Sequence, residues 1–310
     1  MRPTTAARMI ATLALAFAGP AAAQAPAPGP VPVMRAPSPP PAFTGERADV
    51  AMALLENRPT VEVSIGGRSL RFIVDTGATG QILVRPEIAE ALALPVTGQV
   101  RVGDPSGQAQ ARRMFRTPSV KLGGLEFHDV ATVELVTPPG QLAGVDGVLG
   151  LRTYADLLLT LDYARGRLKL EKGELPPGAM GYEVEGPGAI TIPLTIGDDT
   201  VRVHLDSGNG RAPLVVPQAV GERHAKPGAA HPDGRASTLI SSVELWRAEL
   251  AQPAMLGGVR LPVREVAWPS LGPSGNLGSL ALSGAVVRLD QKNRRLSIEF
   301  AKPDPSRPAA

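Results

Sequence analysis

Residues 72–81, FIVDTGATGQ, run three apolar residues into an aspartate, then a small hydroxyl residue, two small residues and a second hydroxyl. The apolar run reads as a strand, and the strand stops at a carboxylate. Asp-Thr-Gly is sound turn chemistry in its own right, because Asp bonds its own backbone and Gly accepts positive φ. The same arrangement also presents an acid on a tight loop, where proton transfer is possible. The choice between a turn and a site rests on the rest of the chain.

A second copy tips the balance. VEVSIGGRSLRFIVDTGATGQILV (61–84) has a counterpart in ITIPLTIGDDTVRVHLDSGNGRAPLVV (190–216). Each copy has an alternating strand, a two-residue turn (Gly66-Gly67; Asp198-Asp199) and a strand ending in Asp-Thr/Ser-Gly, a hairpin pattern. Downstream, GVDGVLGLRTYADLLLTLDYARGRLKL (144–170) aligns without a gap on GPSGNLGSLALSGAVVRLDQKNRRLSI (272–298). Asp162 and Asp290 are paired markers in those segments, read as structural residues that open matching turns. Two features at nearly one offset indicate an internal repeat. The expected organisation is lobe one at 46–172, a Pro/Gly-rich junction, lobe two at 180–302 and a flexible tail at 303–310.

Composition agrees with a turn-rich β protein. Glycine (34) and proline (32) are abundant and aromatic residues make up only 4%, which disfavours a bundle of long helices. Within lobe one, 85–92 reads as a short helix with Pro86 in its first turn. Segments 100–114 and 119–135 read as hairpins, as does the segment turning near Ala164–Gly166. Lobe two repeats this at 254–268 and 286–300. The net charge is +3, but the basic residues are scattered, so no nucleic-acid surface is expected. Residues 1–23 have the basic, apolar and small-residue regions of an export signal, with cleavage expected after Ala23 and a periplasmic or secreted destination. No stable membrane insertion is expected after cleavage. Residues 24–45 open with QAPAPGPVPVMRAPSPPPA and read as an extended Pro-rich linker. There are no cysteines, which excludes thiolate catalysis, thiolate metal sites and disulfides.

IVDTGAT, LDSGNG, VLG (148–150) and NLG (276–278) together resemble the aspartic proteases of the pepsin and retropepsin superfamily. Lobe one is most similar to bacterial exported retropepsin-like domains. The resemblance spans 60–171 well and 189–300 less closely. It implies a mainly β fold of two pepsin/retropepsin-like lobes with an active-site cleft between them. It also implies an aspartic endopeptidase acting on polypeptide substrates, with no metal or organic cofactor. Asp75 and Asp206 would be the catalytic pair. Thr76, Gly77, Ala78, Ser207 and Gly208 would form the supporting loops, with Thr76 and Ser207 bracing them across the lobes. The 100–114 hairpin, tipped by Gly103, Asp104, Pro105, Ser106 and Gly107, would be a flap. Two carboxylates brought together cannot both ionise cheaply, so such a pair holds one proton and titrates as a unit.

Lobe two departs from the family pattern. Asn209 follows Asp-Ser-Gly where Ser, Thr or Ala is usual, Asn276 replaces an apolar residue in NLG, and 235–250 has no clear Gly-containing turn for a flap. Three readings stay open: a monomeric protease, a non-catalytic peptide-binding envelope protein with a degenerate second lobe, and a homodimeric protease using lobe one alone. The four histidines (128, 204, 224, 231) show no metal-ligand spacing. His204 shares a strand face with Asp206, yet a packed or solvated role is its default. Trp246 and Trp268 read as core or interface residues. No G-x-S-x-G elbow is present.

Overall fold

A computed structural model of the chain describes residues 38–103, 109–237, 242–269 and 275–300. The export segment, most of the Pro-rich linker, the flap-tip residues Asp104, Pro105, Ser106 and Gly107, and the tail lie outside the described residues.

The fold is mainly β, in three sheets. The nine-stranded sheet is built from residues 42–150. Its central hairpin joins Arg58–Ile65 to Arg68–Asp75. Val61, Val63 and Ile65 are buried and alternate with Glu62 and Ser64, the period of a strand with one face on a core. In Arg68–Asp75 the last apolar residues are buried on both faces. Phe72 and Val74 enter the main core, while Ile73 packs in a small separate cluster with Leu142 and Val145. This explains the unbroken apolar run before Asp75. Gly66 and Gly67 turn the hairpin with φ of 57° and 78°, values that suit glycine.

The ten-stranded sheet repeats this order around Ala189–Ile196 and Asp199–Asp206. Its hairpin turn lies one residue earlier than the sequence suggested. Ile196 pairs with Asp199, so Gly197-Asp198 form the turn, with Gly197 at φ 55°. Asp199 belongs to the strand, and its carboxylate accepts from Arg223 and from the buried His224 (2.8 Å each).

Both sheets carry a long hairpin in equivalent places. In the first, Val96–Gly103 pairs with Ala109–Leu122. In the second, His231–Ser237 pairs with Ser242–Glu249. The lack of a clear Gly-containing turn in 235–250 does not remove the hairpin. Its only glycine sits within a strand, at Gly234 (φ 71°), beside a register shift between Pro232 and Arg235, so a search for a glycine turn misses it.

A third sheet of six strands joins the halves. Leu158–Asp162 pairs antiparallel with Ala285–Asp290, and each brings its own hairpin partner. Asp162 and Asp290 cap their turns as expected, accepting from the Arg165 and Asn293 N–H groups. Two boundaries change. Ala42–Thr44, assigned to the linker, pairs with Leu125–Glu134, and Phe43 packs on Phe127. The terminal hairpins of the two lobes belong to one shared sheet rather than to separate domains. One continuous core runs through both halves.

Candidate active site

Each DTG-type loop leaves a central strand and is held by a parallel neighbour. Gly147–Gly150 runs beside Arg68–Asp75 with Gly150 opposite Asp75. Gly275–Gly278 runs beside Asp199–Asp206 with Gly278 opposite Asp206. The glycines that end VLG and NLG are required by space. A Cβ on Gly150 would lie 2.6–2.9 Å from the carbonyl oxygens of Ala78, Gly80 and Gln81. Those carbonyls are turned toward this strand because they accept from the Gly150, Leu151 and Arg152 N–H groups. At Gly278 the carbonyls of Ala212 and Asn209 fill the same space.

The two loops are locked to each other. Thr76 N–H donates to Ser207 Oγ and Ser207 N–H donates to Thr76 Oγ1, both at 2.9 Å. The hydroxyls then donate onward, Thr76 to Leu205 O (2.8 Å) and Ser207 to Val74 O (2.7 Å). Both side chains are buried, so four bonds made away from water fix the approach of the loops. That approach brings the carboxylates together. A Cβ on Gly77 would sit 2.7 Å from the carboxyl of Asp206, and one on Gly208 would overlap that of Asp75.

The two carboxyls have different surroundings. Asp75 Oδ1 accepts from the N–H groups of Gly77 (2.7 Å) and Ala78 (3.1 Å). Asp206 Oδ1 accepts from Asn209 N–H (3.1 Å), and its Oδ2 accepts from the Asn276 side-chain amide (2.7 Å). Desolvation in this enclosed place pushes the Asp75 carboxyl up to about 7. The negative charge of Asp206 adds to that rise, and the Gly77 and Ala78 donors oppose it. Two buried phenols, Tyr154 and Tyr163, are also raised, chiefly by burial and further by the charge of Asp75; Tyr163 also accepts from Ser279 Oγ at 3.1 Å.

The structure thus brings together Asp75, Thr76, Gly77 and Ala78 with Asp206, Ser207 and Gly208. Gly103 ends a strand of the first hairpin, and the other four flap residues are outside the described residues. His204 turns to Glu185 (3.7 Å) instead of the dyad. Sequence reading missed three supports. Arg58 Nε donates to Gly208 O (2.8 Å), Asn57 Nδ2 donates to Gly210 O (3.0 Å), and buried Gln81 ties Pro39 O to the Ala131 N–H. Asn57 had a local signal: with Glu56 it takes positive φ in a hairpin turn, where Asn is enriched. Asn209 and Asn276 were visible only as departures from a pattern.

A mainly β chain with two Asp-hydroxyl-Gly loops interlocked through their hydroxyl residues is the arrangement that the sequence resemblance implies. Residues 61–153, which include the Asp75 loop and VLG, match the family model described as aspartyl protease, and this segment belongs to the aspartic protease superfamily. No curated protein matches the chain.

Proposed function

We propose that the chain is an exported aspartic endopeptidase in which Asp75 and Asp206 of one molecule activate a water between them. The observation that carries this reading is the reciprocal bonding of Thr76 and Ser207, which sets the two carboxyls against each other within a single chain. A pair sharing one proton supplies a general base for water and a general acid for the scissile carbonyl in the same site. The substrate class is polypeptide, and the two long hairpins are the elements that would close over it. The intrachain brace favours a monomer over a dimer pairing two copies of Asp75.

The test is cleavage of a denatured protein mixture between pH 3 and 7 by the purified protein. Asp75→Asn and Asp206→Asn are each expected to lower kcat/KM by about 10³-fold or more. Full activity in Asp206→Asn, confined to a dimeric species, would transfer the assignment to the homodimer. Peptide binding without turnover would transfer it to a binding protein. Export is tested separately, by N-terminal sequencing of the protein recovered outside the cytoplasm, with Gln24 expected as its first residue.

A further inference from the structure

The two residues that break the family pattern in lobe two touch each other and the dyad. Asn209 Oδ1 accepts from the backbone N–H groups of Arg211 (3.1 Å) and Ala212 (3.3 Å). These donors cannot be reversed, so they fix which end of the Asn209 amide is oxygen. Its Nδ2 therefore faces outward and donates to Asn276 Oδ1 (2.7 Å). That contact fixes the Asn276 amide in turn, so its Nδ2 points at Asp206 Oδ2 (2.7 Å). Backbone geometry thus determines the polarity of a two-amide relay that ends on one carboxylate oxygen.

Lobe one has no such relay. Ala78 and Val148 occupy the corresponding positions and carry no side-chain donor. Both oxygens of Asp206 accept N–H donors, while Asp75 Oδ2 faces no protein donor among the described residues. A proton on Asp206 Oδ2 would confront the Asn276 N–H, whereas a proton on Asp75 Oδ2 can point at Asp206. No Lys, Arg or His side chain bonds either carboxyl among the described residues. The buried phenols of Tyr154 and Tyr163 feel the charge of Asp75, and the Arg58 guanidinium is engaged by Gly208 O and Glu56.

We propose that Asn276, oriented by Asn209, holds the shared proton of the dyad on Asp75 and so makes Asp206 the base and Asp75 the acid. The assignment deepens the protease reading and rests on it for its catalytic meaning. Asp206 takes a proton from water as the water oxygen bonds to the scissile carbon, and Asp75 gives its proton to the carbonyl oxygen. In the second step Asp75 recovers a proton from one hydroxyl of the tetrahedral carbon. Asp206 gives its proton to the amide nitrogen as the C–N bond breaks. The products are a carboxylic acid and an amine, and the dyad returns to its starting form. Asn276 and Asn209 are positioning residues.

The test is ¹³C-carboxyl NMR titration of the free protein, together with the pH–rate profile, for wild type, Asn276→Val and Asn209→Ala. Valine is the residue lobe one already uses at that place, so the substitution suits the strand. The wild-type step near pH 7 is expected on the Asp75 carboxyl. In Asn276→Val it should spread over both carboxyls, and the acid limb of the rate profile should rise by about one pH unit, the equivalent of one lost charge-assisted bond. Asn209→Ala should change the profile in the same direction, and the double variant should add little to Asn276→Val. Should Asn276→Val fail to fold, Asn276→Ala and Asn209→Ala carry the same readout. Titrations unchanged in a folded Asn276 variant would overturn the assignment, as would a wild-type step on Asp206. Absence of peptide cleavage at every pH would remove the protease reading, and the NMR titration would still decide where the proton sits.

Discussion

The loops 75–81 and 206–212 meet one backbone requirement by different means. Each needs an acid at a strand end, a hydroxyl residue to grip the opposite loop, a glycine against the opposite carboxyl and a glycine on the flanking strand. Lobe one meets the requirement with small residues and backbone bonds, buttressed from behind by Gln81. Lobe two adds side chains, with Asn209 and Asn276 from within and Asn57 and Arg58 reaching across from lobe one. Its departures from the pattern form a connected polar network, and a network of that kind is sensitive to the loss of any member.

The largest effects should come where the two loops are alike. Gly150→Ala and Gly278→Ala each force a Cβ into carbonyl oxygens that cannot withdraw without breaking the loop bonds. Each should cost at least about 3 kcal/mol or abolish folding, read by chemical denaturation. A tolerant Gly278 beside an intolerant Gly150 would show that lobe two is loosely held. Next comes the brace. Thr76→Val keeps the shape of the side chain but leaves Ser207 N–H and Leu205 O unpaired and buried, and Ser207→Ala does the same to Thr76 N–H and Val74 O. About 2–4 kcal/mol is expected for either, with nearly equal losses, because each removes two bonds of one symmetric set.

The sequence revealed the paired loops because they are local: an apolar run, an acid, a hydroxyl residue and a glycine are adjacent in the chain. VLG and NLG were legible because the glycine is sterically required there. The shared six-stranded sheet was not legible, since Leu158–Asp162 and Ala285–Asp290 each read as half of a self-contained hairpin. Nothing local in either strand records that its free edge pairs with the other. The Asn209–Asn276 contact was hidden for the same reason. Each residue looked like a defect alone, and only the fold places one against the other. Ala42–Thr44 was lost to composition, because the prolines before it dominate the window although Phe43 is an apolar anchor.

A pH experiment distinguishes the two carboxyls by stability. Asp75 is pushed up to about 7 in the folded protein from an ordinary 3.8. Between those values the folded state binds more protons than the unfolded state, so this group lowers stability as pH rises through the window. The loss is absent below about 4 and complete above about 7. Asp75→Asn removes the cost of charging a half-buried acid. It should therefore be more stable than wild type at pH 7.5, on the order of 1–2 kcal/mol after discounting for solvent reaching the site, with the advantage gone near pH 4. Melting temperatures of the two proteins across that range would check it. A constant offset between them would mean that Asp75 is not the group that titrates.

The smallest effect should fall on the clamp that only one loop has. Arg58 and Asn57 sit on a lobe-one hairpin and bond Gly208 O and Gly210 O. The corresponding hairpin of lobe two gives lobe one nothing similar; a side chain at Gly188 would only reach van der Waals distance of Thr79, at 3.7 Å. Arg58→Ala removes one hydrogen bond to a carbonyl and an exposed ion pair to Glu56 that contributes little, and leaves the brace intact, so about 1 kcal/mol is expected. The consequence should be local: faster amide exchange at Asn209–Ala212 and unchanged exchange at Gly77–Thr79. Because Asn209, whose Nδ2 donates to Asn276 and orients it, lies in this segment, kcat should fall by a few-fold while KM stays near the wild-type value. Equal loosening of both loops would show that the clamp supports the brace as a whole, and that the two loops differ in appearance more than in how they are held.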